Sequence, residues 1–297
     1  MKYIAVVALV AVAATVLLSF SSSSASDYDM FLAKYRKSYT SVNEYEFRKA
    51  IFERSQKIID EENAKGQSFT LAMNQFGDWT DEEYRSILGY MRTRPHVKSA
   101  NWGMEVPKSD ETIDWVAKGA VSAIKNQGSC GSCWTFSAVG ALEGAHAIAG
   151  NGDIQQFAEQ QLVDCSKNGN YGCNGGEMYN AFAWYKTHGA CFEENYKYTA
   201  KNQQCADSKC TNDSKPISSY NLVEKNDPSV IHAELKNAPH ALGVEAGNNI
   251  FRYYSSGVIK SDSCGHRLDH GVLLVGYDAE RDAWKIKNSW GTSYGEK

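Results

Sequence analysis

Cys133 stands in the run Gln127-Gly128-Ser129-Cys130-Gly131-Ser132-Cys133-Trp134, and an apolar stretch from Thr135 to Ala149 follows it. The stretch reads as a helix that begins near the thiol. A thiol at a helix N-terminus faces unpaired backbone N–H groups and the positive end of the helix dipole, which favour thiolate over thiol. Cys133 is therefore a candidate nucleophile. Cys-x-x-Cys also occurs as half of a zinc site, as a redox pair and as two structural cysteines. No second Cys-x-x-Cys supports zinc, and no strand-helix-strand pattern supports a redox fold.

A nucleophilic thiol needs a base, a group that orients the base, and donors for the developing oxyanion. His270 opens Leu268-Asp269-His270-Gly271-Val272-Leu273-Leu274-Val275-Gly276-Tyr277, where the imidazole precedes an apolar run of strand length. Asn288 lies in Lys287-Asn288-Ser289-Trp290-Gly291, after the alternating Ala283-Trp284-Lys285-Ile286. Taken singly, a His at a strand start is more often packed or solvated than basic, and an Asn says less. Their order and surroundings together resemble the papain and cathepsin L family of cysteine peptidases. His270 follows Cys133 by 137 residues and Asn288 by 155, against a family interval of about 130–150.

The resemblance implies an α+β, papain-like two-domain fold, with a helical domain around Thr135–Ala149, a second domain of antiparallel, barrel-like strands, and a cleft between them. It implies a Cys133 thiolate paired with a His270 imidazolium, with the Asn288 amide oxygen orienting the ring and Trp290 shielding that bond. Gln127 and the Cys133 backbone N–H would hold the oxyanion. No metal or organic cofactor is implied. Gly175 and Gly176, in Cys173-Asn174-Gly175-Gly176, would border the cleft, and Gly176 would pair with the substrate residue two before the cut. Met178, Gly243 and Leu268 would line the pocket for that residue, roomy and apolar enough to prefer Leu or Phe over Arg. Glu177 at the rim would attract a positive side chain or remain a solvated surface acid. Cys130 with Cys173 and Cys165 with Cys205 are the disulfides the family correspondence suggests. The pairing of Cys191 and Cys210 stays open, and Cys264 would take a partner from a segment after the Asn motif, beyond Lys297.

The elements that position these groups begin with an export address. Lys2, the fifteen apolar residues Ile4 to Leu18 and the small residues Ser23-Ser24-Ala25 read as a signal peptide over 1–25. That run is shorter than the roughly twenty residues of a membrane span. Export sets most of the eight cysteines in an oxidising compartment, the outside or a lysosome-like one, and makes Asn212 a candidate glycan acceptor. A net charge of −4 and the lack of a basic run leave no footprint for nucleic acid or a membrane surface.

Residues 26–91 form a helical segment with seven aromatic residues between Tyr28 and Phe52 and an amphipathic helix from about Val42 to Ala64, ended by Gly66. Glu44, Arg48, Phe52, Ile59 and Asn63 resemble the interspersed pattern of cathepsin L-like propeptides, with Ser55 where Asn is usual. Ala72, Asn74, Phe76 and Asp78 resemble a second propeptide pattern, with Ala in place of Gly. Such a segment would lie in the cleft in the reverse of a substrate's direction and inhibit the enzyme in cis, loosening in acid as Glu44 and Asp78 take up protons. Residues 92–108 read as an exposed linker, and 109–297 as the peptidase domain, its mature N-terminus near Ser109. The implied partners are peptide substrates, the chain's own propeptide and cystatin-like inhibitors, with the enzyme a monomer. A catalytically inactive homologue that inhibits or binds other peptidases is the rival reading, and a disulfide-stapled structural domain is a third.

Overall fold

The computed structural model describes residues 25–93, 110–150, 152–210, 213–223, 227–260 and 263–296. The export address, most of the linker, Ser109 and Asn212 lie outside them. The chain divides after Thr40. In the first unit, α1 (Asp27–Tyr35) starts with a capping box in which the Ser26 hydroxyl accepts from the Asp29 N–H.

The second unit runs from Ser41 to the end and begins with α2 (Val42–Asn63), whose N-cap Ser41 accepts from the Glu44 N–H. Gly66, at φ 65°, turns the chain where a residue with a Cβ would be strained. The strand β1 (Phe69–Leu71) buries Phe69 and Leu71 and exposes Thr70. Asn63 clamps Leu71 from both sides, its amide donating to the Leu71 carbonyl and accepting from its N–H, each at 2.8 Å. The short α3 (Asp81–Ser86) carries a Thr80/Glu83 capping box.

β2 (Ile113–Asp114) precedes α4 (Cys133–Ala149), whose buried face includes Trp134, Ala138, Val139 and Ala147. Then come α5 (Glu159–Cys165), α6 (Met178–Tyr185), α7 (Pro228–Leu235), β3 (His240–Val244), α8 (Asn249–Tyr253), β4 (Tyr254–Gly257), β5 (His270–Asp278) and β6 (Ala283–Lys287). Disulfides join Cys130 to Cys173, Cys165 to Cys205 and Cys191 to Cys210, while Cys133 and Cys264 are free. Among the described residues no helix is long and apolar enough to cross a membrane.

β5 is the central strand of one sheet. β3 pairs with its first half and β2 with its second, both antiparallel and on one edge, because β6 pairs with the opposite edge across the same residues. The sheet is therefore open among the described residues, not barrel-like. Its outer strands, two to five residues long, do not meet to close it. A second, two-stranded sheet pairs β1 with β4, Phe69 opposite Gly257 and Leu71 opposite Tyr254. It ties residues 41–93 to the later part of the chain, and Ile59, Phe69, Leu71 and Tyr253 form the apolar cluster there.

Candidate active site

Helix α4 and strand β5 meet at their starts. The Ser137 hydroxyl donates to the Val272 carbonyl at 2.7 Å. A Cβ on Gly271 would stand 3.2 Å from the Cys133 carbonyl oxygen, so the missing side chain lets strand and helix approach. The Gly271 N–H donates to the Cys133 Sγ at 3.3 Å, which sets the thiol beside the backbone of His270.

Asn288 follows β6. Its Oδ1 accepts from the Ser289 N–H at 2.7 Å, which identifies that atom as the oxygen. His270 Nε2 lies 2.8 Å from the same oxygen and must donate its proton there. The proton on Nε2 leaves the lone pair on Nδ1, which is buried and without a hydrogen-bond partner. Trp290 stacks on the imidazole, with centroids 4.6 Å apart and planes 29° apart, and keeps water from the His270–Asn288 bond.

Gln127 is held at both ends of its amide. Oε1 accepts from the Ser289 hydroxyl at 2.7 Å, and Nε2 donates to the carbonyls of Cys130 and Ile87 at 2.9 Å each. Ser289 thus orients two site residues, a role that nothing in its type announced.

Ile87 belongs to the segment that lies over the site. The Tyr90 N–H donates to the Asp269 carbonyl at 3.0 Å, Gly176 N–H to Gly89 O at 2.9 Å, and Met91 N–H to Gly176 O at 2.9 Å. Tyr90 pairs with Gly176 in parallel. Gly89 must be a glycine, because a Cβ there would lie 1.8 Å from the Gly131 carbonyl oxygen. The Tyr90 ring lies against Gly243 and joins the buried cluster of Met178, with Leu268 packed on its margin. Gly175, at φ 113°, leaves room for the Met91 side chain.

The predicted pocket residues are therefore brought together, and Tyr90 fills the space between them. One expectation changes. Thr93 is exposed, and its N–H and hydroxyl both donate to Glu177 Oε2. Glu177 in turn is fully buried, neither a solvated surface acid nor an open rim charge.

The thiolate–imidazolium pair is also absent from this covered state. Burial pushes the Cys133 thiol up to about 11, only partly opposed by the N–H groups of Gly271, Gly89 and Trp134. Burial pushes His270 down to about 4 against the opposing Asn288 hydrogen bond. Thiol and imidazole are both neutral here.

The two patterns of the N-terminal segment each have a physical use. Arg48 makes a bidentate pair with Glu83, one contact at 2.7 Å, and donates to the Asp78 carbonyl at 3.2 Å. Its strong partner is Glu83 rather than Asp78, and Glu44 is at 3.7 Å. The Asn74 amide donates to the Arg252 carbonyl at 2.7 Å, and Ser55, in its departure from the usual Asn, meets the Tyr253 hydroxyl at 2.8 Å. Phe76, Tyr84 and Ile87 are buried in one cluster with Trp290 and Tyr294, Phe76 edge-on to Trp290 at 5.1 Å.

Residues 109–297 match the papain family cysteine protease domain, and residues 28–84 match the cathepsin propeptide inhibitor domain. The chain belongs to the papain family. A probable cysteine protease of Arabidopsis thaliana is 39% identical over 282 residues, which cover 91% of this chain. This chain spans only 61% of that relative's length. Digestive cysteine proteinase 2 of Homarus americanus is 38% identical over 288 residues, covering 91% of this chain and 86% of the relative. Among solved structures, digestive procathepsin L 3 of the Tenebrio molitor larval midgut aligns with a TM-score of 0.75 at 34% identity, covering 91% of this chain and 90% of that one. The recombinant stem bromelain precursor aligns with a TM-score of 0.78 at 31% identity, covering 90% and 88%.

Proposed function

We propose that this papain-family chain is the inhibited precursor of a cysteine endopeptidase. The observation that carries the reading is the parallel pairing of Tyr90 with Gly176 across the place where Cys133, His270 and Asn288 converge. A peptide running the opposite way would offer its scissile carbonyl to Cys133. A segment held in parallel blocks the cleft without being cut.

Release of the segment would hydrate the site and allow the thiol proton to pass to His270 Nδ1. Cys133 Sγ then attacks the carbonyl carbon, and the oxyanion takes the Gln127 Nε2–H that Ile87 now occupies together with the Cys133 N–H. His270 returns the proton to the leaving amine, and water hydrolyses the thioester. The pocket that holds Tyr90 would take a large apolar or aromatic side chain, Leu or Phe over Arg. Secretion toward a lysosome-like acidic compartment or the outside, work as a monomer, and inhibition by cystatin-like proteins entering the same cleft belong to this proposal.

The test is peptide hydrolysis by the chain after acid treatment under mild reduction, beside Cys133→Ala. We expect hydrolysis by the first and none by the second at an unchanged thermal midpoint. Hydrolysis that persists in Cys133→Ala would refute the assigned nucleophile.

A further inference from the structure

We infer that Tyr198 is a positioning residue for the oxyanion site, its hydroxyl setting the spacing between the backbone of Gln127 and the start of helix α4. The inference rests on the peptidase reading and deepens it.

The two groups that would hold the oxyanion, the Gln127 amide and the Cys133 N–H, stand at opposite ends of the run 127–133. Ser289 holds Gln127 at its N–H, which donates to the Ser289 carbonyl at 2.8 Å, and at its side chain. Neither bond reaches the start of α4. Tyr198 does. Its hydroxyl donates to the Gln127 carbonyl at 2.8 Å and lies 2.6 Å from the Ser132 hydroxyl. A phenol has one proton and the carbonyl takes it, so Ser132 must donate to the phenol oxygen. A single oxygen atom thereby bridges the residue that bears one donor and the residue next to the other.

The behaviour of Ser132 shows that this bridge displaces an ordinary bond. Ser132 is the N-cap of α4, where a serine hydroxyl usually accepts from an N–H of the first turn. Here it makes no such bond and turns to Tyr198. The first-turn donors go elsewhere, the Thr135 N–H to the Ser132 carbonyl at 2.8 Å and the Trp134 N–H to the Cys133 sulfur.

Tyr198 is itself well anchored. Its N–H donates to Glu193 Oε1 at 3.0 Å, and its ring stands edge-on to Phe136 of α4 with centroids 4.9 Å apart. The next residue, Thr199, donates from its N–H and its hydroxyl to Gln160 Oε1 of α5, at 2.9 and 3.1 Å. A tyrosine that only packs would act through stability, and every reaction of Cys133 would suffer together when its hydroxyl is removed. A tyrosine that spaces the two donors affects reactions that build an oxyanion and spares those that do not.

The experiment uses the acid-processed chain, with active sites counted by an epoxide that labels Cys133, beside Tyr198→Phe, which keeps the ring, and Ser132→Ala, which removes one of the two bonds. We expect kcat for a fluorogenic peptide with Leu second before the cut to fall about tenfold in Tyr198→Phe and about threefold in Ser132→Ala, with KM changed less than about twofold. The inhibition constant of a peptide aldehyde should rise by the same factors, because the Cys133 sulfur adds to its carbonyl carbon and the carbonyl oxygen takes the oxyanion place. Alkylation of Cys133 by iodoacetamide expels iodide and builds no oxyanion, so its rate should change less than about twofold and its pH profile should stay the same. An unchanged kcat in Tyr198→Phe, an unchanged aldehyde affinity beside a reduced kcat, or a loss of alkylation as large as the loss of kcat overturns the assignment of Tyr198 alone. If Tyr198→Phe yields no labelled sites, Ser132→Ala decides by the same criteria. No hydrolysis of the peptide by the wild type overturns the peptidase reading and this inference with it.

Discussion

Helix α4 carries two buried titratable groups ten residues apart, Cys133 and Glu143, and they are treated in opposite ways. Glu143 is compensated throughout. Lys125 Nζ lies 2.9 Å from Glu143 and 2.7 Å from Glu159, the Phe157 N–H donates to Glu143 at 3.0 Å, and the Ser122 hydroxyl donates to its other oxygen. Burial opposes the charge of Lys125, yet Glu159 and Glu143 raise it to about 12. Cys133 and His270 are equally buried and have no such countercharge, so burial removes their charges. One buried set is a fixed structural clamp. The other is held neutral by a cover that can leave, and its chemistry depends on that cover.

Breaking the clamp should have the largest effect on stability. Glu143→Ala leaves Lys125 short of a partner and should destabilise the fold by about 3–5 kcal/mol, read from urea unfolding. A loss under 1 kcal/mol would mean that the pairing contributes little.

Titration of His270 comes next. Its folded value, about 4, lies below the ordinary 6.5, so the covered state gains its full advantage above pH 6.5 and loses it as pH falls toward 4. The whole difference is about 3 kcal/mol. Cleavage of the segment by an added peptidase should therefore speed up between pH 7 and 5 in Cys133→Ala, and His270→Asn on that background should flatten the rise. An undiminished rise would assign the pH sensitivity elsewhere. Glu83 makes a poor candidate, because its hydrogen bond to Arg48 holds it at about 2 against burial. Its contribution is whole above about pH 4.5 and fades only as pH falls from there to 2. The acid response expected here is that of the imidazole under the cover.

The smallest effect concerns the join between the segment and the peptidase part. Ser55→Ala leaves the buried Tyr253 hydroxyl without its 2.8 Å partner and should cost about 1 kcal/mol. A thermal midpoint shift of a few degrees in the precursor would register it, and no shift would show that Tyr253 finds another partner.

The sequence disclosed chemistry better than closure. Cys133, His270, Asn288 and Gln127 were legible because each stands in a motif whose local geometry serves its role: a helix start, a strand start, the end of a strand. Gly175, Gly176, Met178, Gly243 and Leu268 could be placed by likeness alone. What makes them a filled pocket is Tyr90, and a tyrosine just past a short helix carries no mark of that use. The pairing of β1 with β4 joins Thr70 to Ser256 across 186 residues and depends on tertiary register rather than local pattern. Nothing in the sequence marks Gly89, since the need for a glycine there comes from the Gly131 carbonyl. Glu83 escaped for the same reason. Its capping role is local and readable, but its bond to Arg48 requires α2 and α3 to be side by side.

The most direct measurement is the rate at which an epoxide electrophile labels Cys133 at neutral pH, in the intact chain and after removal of the segment through Thr93, with the modified residue identified by peptide mass mapping. A neutral, covered thiol predicts slow labelling of the intact chain, a rise of at least about a hundredfold on removal, and loss of that rise in His270→Ala. Equal rates before and after removal would contradict the account, because Cys133 would then be activated while the segment is in place.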